Sequence, residues 1–336
     1  MRTLVLFFIF TPLLAFSQNQ WSSYYDAVRS YSSPRATDLN EDGVEDIIFG
    51  AGVDGFASPF GAVAIDGLNG NTLWQMESSN EIFSSPTIHD FNGDRYPDIF
   101  VANDTDANGL YLNKGDGFFK PFSGPSGLGT TDGSMGVAIG DINNDRLIDL
   151  VYTNYSSEVN ILALLIDNKT TNDGKLRNAV FVHDFNSPLM QKNTWPKVSW
   201  GPGLYDFDND RDLDIFFAAG HLNSVSGDNR QSNLLFENNG SAVYKDISEI
   251  SGIIKPGKRI HRSAIFADYD NDGKVDIYIT VNGQQVEDGR GNITIDNNQG
   301  KGILFRNSTQ NKNHWIKIRL EGTISNRDGF GAFVTV

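Results

Sequence analysis

Five stretches of the sequence place oxygen-bearing side chains at alternating positions, a spacing that can wrap a hard cation. They are Asp38, Asn40, Asp42 and Asp46; Asp90, Asn92, Asp94 and Asp98; Asp141, Asn143, Asp145 and Asp149; Asp206, Asp208, Asp210 and Asp214; and Asp268, Asp270, Asp272 and Asp276. All five fit D-x-[DN]-x-D-x-x-x-D. Side chains at positions 1, 3, 5 and 9, with a backbone carbonyl at 7, offer oxygen alone, without His or Cys. Calcium suits such a set because it accepts six to eight oxygens in flexible geometry, whereas magnesium demands a strict octahedron. Three or four carboxylates within about 4–6 Å of one another repel by a few kcal/mol per pair at an effective dielectric near 20. An ordinary polar turn has no reason to recur five times in this form unless a cation offsets that repulsion.

The role expected for several such ions is structural. An ion present at ten times its dissociation constant adds about 1.4 kcal/mol, and extracellular modules hold calcium at about 0.1–1 mM. Position 6 is Gly43 and Gly273 in the first and last copies but Arg95, Arg146 and Arg211 in the others. If that position needs a left-handed backbone, each arginine costs roughly 1–2 kcal/mol. Either the middle three loops are looser, or position 6 avoids that region.

The elements that must hold these loops are equally regular. Short β-like segments lead in (Pro86 to His89, Gly136 to Ile139, Ser263 to Ala267), and β-branched and aromatic runs lead out, such as Ile99-Phe100-Val101 and Ile215-Phe216-Phe217. Such runs read as strands. A third apolar run follows in each unit (Ala62 to Ile65, Leu110 to Leu112, Val159 to Ile166, Leu234 to Phe236, Ile303 to Phe305), and a fourth in most (Leu73 to Met76, Phe118 to Phe122, Val180 to His183, Val243 to Ile247). Gly, Asn and Asp punctuate the joins, as tight turns require. No long segment shows a 3.6-residue period. The first Asp recurs about every 50 to 65 residues, a propeller-blade or solenoid period. The fold class expected is all-β, a β-propeller of four-stranded blades with five calcium-motif blades; nonapeptide β-solenoid repeats are far shorter.

The chain has 336 residues, a net charge of -15 and no cysteine. The acidic balance argues against nucleic acid or an anionic membrane as partner. Arg2 followed by the apolar run Leu4 to Phe16, with Ala15 and Ser17 at cleavage spacing, reads as a signal peptide over residues 1–17. The run is too short for a membrane span. The expected product is exported, secreted, periplasmic or at the cell surface, and stabilised by metal where disulfides are absent.

These residues resemble the FG-GAP/VCBS repeat family, the calcium-binding propeller repeats also found in integrin α-subunits. Leu110-Tyr111-Leu112-Asn113 and Leu234-Leu235-Phe236-Glu237-Asn238 look like its third strand and turn. Asn313 to Gly322, leading into Ser325 to Ala332, resembles the opening of the ASPIC/UnbV domain that follows such propellers in the cartilage acidic protein family. The organisation expected is therefore an N-terminal segment at 18–34, a propeller at 35–312 and the beginning of a small β domain, incomplete at Val336, at 313–336. That resemblance implies an extracellular calcium-binding protein with no established catalytic centre. Ala62 to Trp74 also looks like a quinoprotein propeller repeat, but it occurs once, and Trp74 reads as a packing residue.

No catalytic constellation is recognisable. The histidines (His89, His183, His221, His261 and His314) form no spaced metal pair and neighbour no nucleophile motif. The expectation is a binding, adhesion or scaffold module for an extracellular protein or glycan. The alternative is a calcium-dependent polysaccharide-active enzyme of the lyase kind, whose base would come from Lys197, Arg259, His261 and Arg262. Trp21 to Tyr25 is the expected outer strand that closes the ring.

Overall fold

The computed structural model describes residues 22–24, 29–30, 32–53, 55–104, 106–115, 117–168, 178–184, 186, 188–222, 228–287, 290–296, 300–316 and 318. The expected signal peptide and all of the C-terminal segment after residue 318 lie outside the described residues.

The architecture is all-β, with four four-stranded antiparallel sheets following one another in chain order. The first holds β1 (Arg35–Thr37), β2 (Asp46–Gly50), β3 (Ser58–Ile65) and β4 (Thr72–Ser78); the second holds β5 (Thr87–His89), β6 (Asp98–Val101), β7 (Gly109–Asn113) and β8 (Phe119–Pro121). The third holds β9 (Val137–Gly140), β10 (Asp149–Tyr152), β11 (Ile161–Asp167) and β12 (Val180–His183); the fourth holds β13 (Ser199–Tyr205), β14 (Asp214–Ala219), β15 (Leu234–Asn238) and β16 (Tyr244–Asp246). A fifth sheet contains β17 (Ile260–Ala267), β18 (Asp276–Asn282) and, after the separate hairpin of β19 (Gln284–Glu287) and β20 (Ile293–Asp296), β21 (Ile303–Phe305). The helices among the described residues are short, α1 (Ser123–Ser126) and α2 (Pro188–Thr194).

In the second, third and fourth sheets the second strand is apolar after its aspartate, without alternation, because both of its faces are covered. Asp98–Val101, Asp149–Tyr152 and Asp214–Ala219 are buried throughout. Successive side chains point to opposite faces of a sheet, so the residues after the aspartate serve two neighbours. Ile215 and Phe217 join a core with Val151 and Leu162 of the third sheet, while Phe216 and Ala218 join a core with Ile277 and Ile279 of the fifth. The same division places Ile48 with Ile99 and Val101, and Phe100 with Leu150 and Tyr152. Each core thus lies between adjacent sheets.

Two expectations differ from the structure. The fifth sheet has three strands among the described residues, because the chain after β21 does not fold back along it. It crosses the fourth and fifth loops instead, where Asn311 and Asn313 donate to the Asp208 carbonyl and Trp315 crowds Gly273. Of the expected closing strand Trp21 to Tyr25, the described part pairs with no sheet. Trp21 and Tyr25 lie outside the described residues, and Ser22 to Tyr24 form no strand; the Ser23 hydroxyl donates to the Gly70 carbonyl in the turn between β3 and β4. No strand pairing among the described residues joins the fifth sheet to the first, and the fifth leaves the cross-strand row Ile265, Tyr278 and Leu304 exposed.

Candidate metal centres

Each acidic loop connects the first and second strands of its sheet. The closing pair is always the residue before position 1 against the position-9 aspartate: Thr37 with Asp46, His89 with Asp98, Gly140 with Asp149, Tyr205 with Asp214 and Ala267 with Asp276. Every loop therefore leaves its sheet in the same register.

Inside the loops the hydrogen bonds repeat. The position-1 carboxylate accepts from the backbone N–H of positions 5 and 6, as Asp90 does from Asp94 at 3.0 Å and Arg95 at 2.8 Å, and Asp206 does from Asp210 at 3.0 Å and Arg211 at 2.9 Å. Asp38, Asp141 and Asp268 do likewise. The position-5 carboxylate accepts from the N–H of position 7, from Val44, Tyr96, Leu147, Asp212 and Lys274. In the first four loops the position-3 side chain accepts from the N–H of position 5. These bonds fold the chain around its own side chains, and in the fourth loop they bring the oxygens of positions 1, 3 and 5 within 4.8 Å of one another.

That curvature needs a left-handed backbone twice per loop. Position 6 has φ of 84° at Gly43 and 84° at Gly273, and also 81° at Arg95, 71° at Arg146 and 82° at Arg211. The arginines therefore occupy the left-handed region. Position 4 is left-handed too, at Glu41, Gly93, Asn144, Asn209 and Asn271. Sequence reasoning missed position 4, although its Asn and Gly residues are the types that tolerate this conformation. Two of these asparagines also reach the next loop: Asn144 Nδ2 donates to Asp212 Oδ1 at 2.8 Å, and Asn209 Nδ2 to the Gly273 carbonyl at 3.3 Å.

The position-9 aspartates have a second role. Oδ2 accepts from the N–H of position 2, as in Leu39 to Asp46 at 2.8 Å and Phe91 to Asp98 at 3.0 Å. Oδ1 accepts from a residue at the end of the third strand: Gly67, Asn113, Leu165, Asn238 or Asn307. One carboxylate thus ties the loop to the far side of its own sheet. Burial is the main influence on these groups and pushes the Asp46 carboxyl up, Asp98 to about 8, and Asp149 and Asp214 to about 7; the flanking aspartates raise them further, against the lowering by the backbone N–H groups. Asp208 rises to about 6 through burial, then Asp210 and Asp206. A cation in the loop would supply the positive charge that these clustered carboxylates lack.

Among the described residues, two triads of acids bring ligand oxygens within 4.8 Å of one another: Asp206, Asp208 and Asp210, and Asp268, Asp270 and Asp276. The first three loops carry Asn40, Asn92 and Asn143 at position 3 and form no such triad of acids; each asparagine donates Nδ2 to the position-5 carboxylate instead. In the fifth loop Arg306 supplies a cation, with Nε 2.6 Å from Asp270 Oδ2 and a second nitrogen 3.5 Å from Asp272 Oδ2. The donor set, oxygen throughout, fits a hard cation.

Of the basic residues of the enzyme reading, His261 and Arg262 are engaged in packing. His261 is buried and its Nδ1 lies 2.9 Å from the Ala219 carbonyl. Arg262 stacks on Trp200 at 4.4 Å and donates to the carbonyls of Gly220, His261 and His221. A cavity of about 440 Å³ between the fourth and fifth sheets is lined by Phe207, Leu235, Ile277 and Phe305, and none of Lys197, Arg259, His261 or Arg262 lines it.

An all-β protein of sequential sheets, each with an acidic loop between its first two strands, defines the class. The model of the FG-GAP-like repeat matches residues 90–152 and 199–279, which contain the second to fifth loops. The first loop lies outside those residues yet has the same register and hydrogen bonds. Human cartilage acidic protein 1 is 27% identical over 205 residues, covering 60% of this chain and 29% of the relative. The Xenopus tropicalis protein of that name is 28% identical over 188 residues, covering 54% and 26%. The chain thus carries FG-GAP-like repeats, is similar to cartilage acidic protein 1, and spans under a third of the length of these relatives. The crystal structure of the V. cholerae biofilm matrix protein Bap1 aligns with a TM-score of 0.42 and 18% identity, over 75% of this chain and 35% of that one. No helix among the described residues is long and apolar enough to cross a membrane.

Proposed function

We propose that this chain is an exported β-propeller protein whose acidic loops bind calcium as structural ions, and that it acts as a binding or adhesion module for an extracellular protein or glycan. The observation that carries the reading is the recurrence of one loop geometry five times, at the cost of left-handed Arg95, Arg146 and Arg211. A sequence under no demand at that position would use glycine or another turn. The loops order the chain between strands, where an ion bound to the folded state alone stabilises by mass action.

The ring is proposed to close through the exposed row Ile265, Tyr278 and Leu304, which is equivalent to the row of the fourth sheet that packs on the fifth. Export is supported by the N-terminal sequence and by relatives named for cartilage. The ligands proposed are the side chains of positions 1, 3, 5 and 9 in every loop, with the fourth best furnished.

Thermal unfolding of the purified protein in millimolar calcium, in magnesium and in excess chelator tests the calcium reading. A midpoint that rises with calcium and not with magnesium is expected. An equal midpoint in all three would mean that the loops are acidic turns without an ion.

A further inference from the structure

The fourth and fifth sheets gather basic residues at the ends opposite their acidic loops. β13 and β17 each run into an acidic loop at their C-terminal end, so the residues before them lie at the other end, as do those after β14. Strands of this length separate the two ends by about 20 Å. At that far end Lys197, Lys258 and Arg259 come together through Gln231. The Gln231 backbone pairs with Arg259 in both directions, at 2.8 and 3.1 Å. Its side chain accepts from the Val198 N–H at 3.0 Å and donates to the Pro196 carbonyl at 3.4 Å, holding the chain on both sides of Lys197. Beneath lies the guanidinium of Arg262, stacked on Trp200 and satisfied by carbonyls alone.

These cations lack close ion-pair partners, with Asp246 in electrostatic reach of Lys197 and Asp228 in reach of Lys258. Among the described residues Lys197, Lys258, Arg259 and Arg262 form no ion pair, while nearby Arg230 is already paired with Asp228. Lys197 is half-buried, and burial together with Lys258 depresses its ammonium below the usual range, with Asp246 opposing. Like charges held together by a built clamp, in a chain of net charge -15, present the same problem as the acidic loops with the sign reversed. An anion solves it. Two positions before Lys197, Trp195 exposes 52% of its surface. An exposed indole beside spaced cations suits a sugar ring that bears an acid group better than a flexible acidic peptide.

We infer that Lys197, Lys258, Arg259 and Trp195 form a binding site for an anionic polysaccharide, one carrying uronate carboxylates or sulfate esters. The site deepens the binding-module reading and rests on it, but it lies away from the acidic loops and is assayed separately from calcium.

Binding of the calcium-loaded protein to hyaluronan, dextran sulfate, uncharged dextran and polyglutamate at low salt tests the site. Binding to hyaluronan or dextran sulfate and not to dextran is expected, and whichever glycan binds identifies carboxylate or sulfate as the group recognised. The double variant Lys197→Glu, Lys258→Glu should weaken that binding at least tenfold, and Trp195→Ala roughly threefold, while added salt weakens the wild type. The variants' circular dichroism and cooperative melting, with or without calcium, serve as the folding control. Absence of binding to both charged glycans, unchanged affinity in the folded double variant, or polyglutamate binding as tight as either glycan would overturn the inference. Failure of the calcium test alone would leave these outcomes readable.

Discussion

Asn238, at the end of the third strand of the fourth sheet, donates Nδ2 to the carbonyl of Ile142 in the acidic loop of the third sheet at 2.9 Å. The same amide donates to Leu213 at 3.1 Å, while its own N–H reaches Asp214. Asn113 repeats the bridge to Leu39 of the first loop, and Asn307 repeats it to Phe207 of the fourth. The residue that fastens a loop to its own sheet thereby fastens the neighbouring loop as well.

Replacing Asn238 by Ala removes three side-chain bonds, two donated to the carbonyls of Ile142 and Leu213 and one accepted from the Gly240 N–H; Leu213 keeps the Tyr244 hydroxyl as donor, whereas Ile142 loses its side-chain partner. A buried polar group left unsatisfied costs about 1–3 kcal/mol, so Asn238→Ala should lower the unfolding free energy by about that amount. Denaturant titration in chelator checks it, because the bridge is made without an ion. A loss below about 0.5 kcal/mol would mean that the bridge is incidental.

The left-handed positions predict opposite signs for opposite substitutions. Gly43 has φ of 84° and open space where a Cβ would stand, so Gly43→Ala tests the backbone alone. It should destabilise by roughly 1 kcal/mol. Arg95 has φ of 81°, so Arg95→Gly relieves strain there and should be neutral or stabilising by up to about 1 kcal/mol after the entropy cost of glycine. Paired denaturation curves decide it. Destabilisation by Arg95→Gly comparable to that by Gly43→Ala would show that side-chain contacts, not backbone conformation, govern position 6.

Much of this organisation was legible in the chain because the loops combine a fixed spacing with strands of fixed type. Ile215-Phe216-Phe217 reads as a buried strand, and all three residues are buried. What could not be read depends on distant partners. Nothing local to Asn113 says that its amide reaches Leu39, 74 residues away. In the third sheet that position is Leu165, packed into the core shared with the second sheet, so the bridge is absent there for a packing reason. The hairpin of β19 and β20 was unforeseen: Val286, Ile293 and Ile295 are exposed, and their alternation resembles a loop between strands as much as a hairpin. Position 6 was left undecided because arginine prefers neither outcome; only the backbone angle resolves it.

Arg306 competes with any ion for the fifth loop, since its guanidinium contacts Asp270 and Asp272. Arg306→Gln should tighten calcium binding at that loop and leave the fourth, where Asp206, Asp208 and Asp210 cluster, unchanged. In the converse experiment, Asp208→Asn removes one of three clustered carboxylates. It should stabilise the chelated protein by relieving repulsion and reduce the calcium-dependent gain by about 1 kcal/mol. Isothermal titration with calcium, together with unfolding in calcium and chelator, reads both effects. Equal calcium gains in wild type and Asp208→Asn would remove the fourth loop from the set of ion sites.

His261 gives the fold a pH dependence of its own. Burial is the first cause that pushes its imidazole from 6.5 down to about 4, with Arg259 and Arg262 adding to it and the hydrogen bonds with the Ala219 and Gln231 backbone opposing it. A base with a folded pKa below its unfolded value takes up a proton on unfolding. Its contribution is complete above pH 6.5 and is lost as pH falls toward 4, amounting to about 2 kcal/mol by pH 5. Asp98, pushed up to about 8, has the opposite slope, because an acid protonated in the folded state loses stability as pH rises toward that value. The two separate in a difference measurement. His261→Asn retains a donor for the Ala219 carbonyl but cannot titrate, and leaves the aspartates unaltered. In chelator, the wild type should lose about 2 kcal/mol more than His261→Asn between pH 7.5 and pH 5. Parallel losses would show that His261 is protonated in the folded protein and that its burial carries no pH-linked cost.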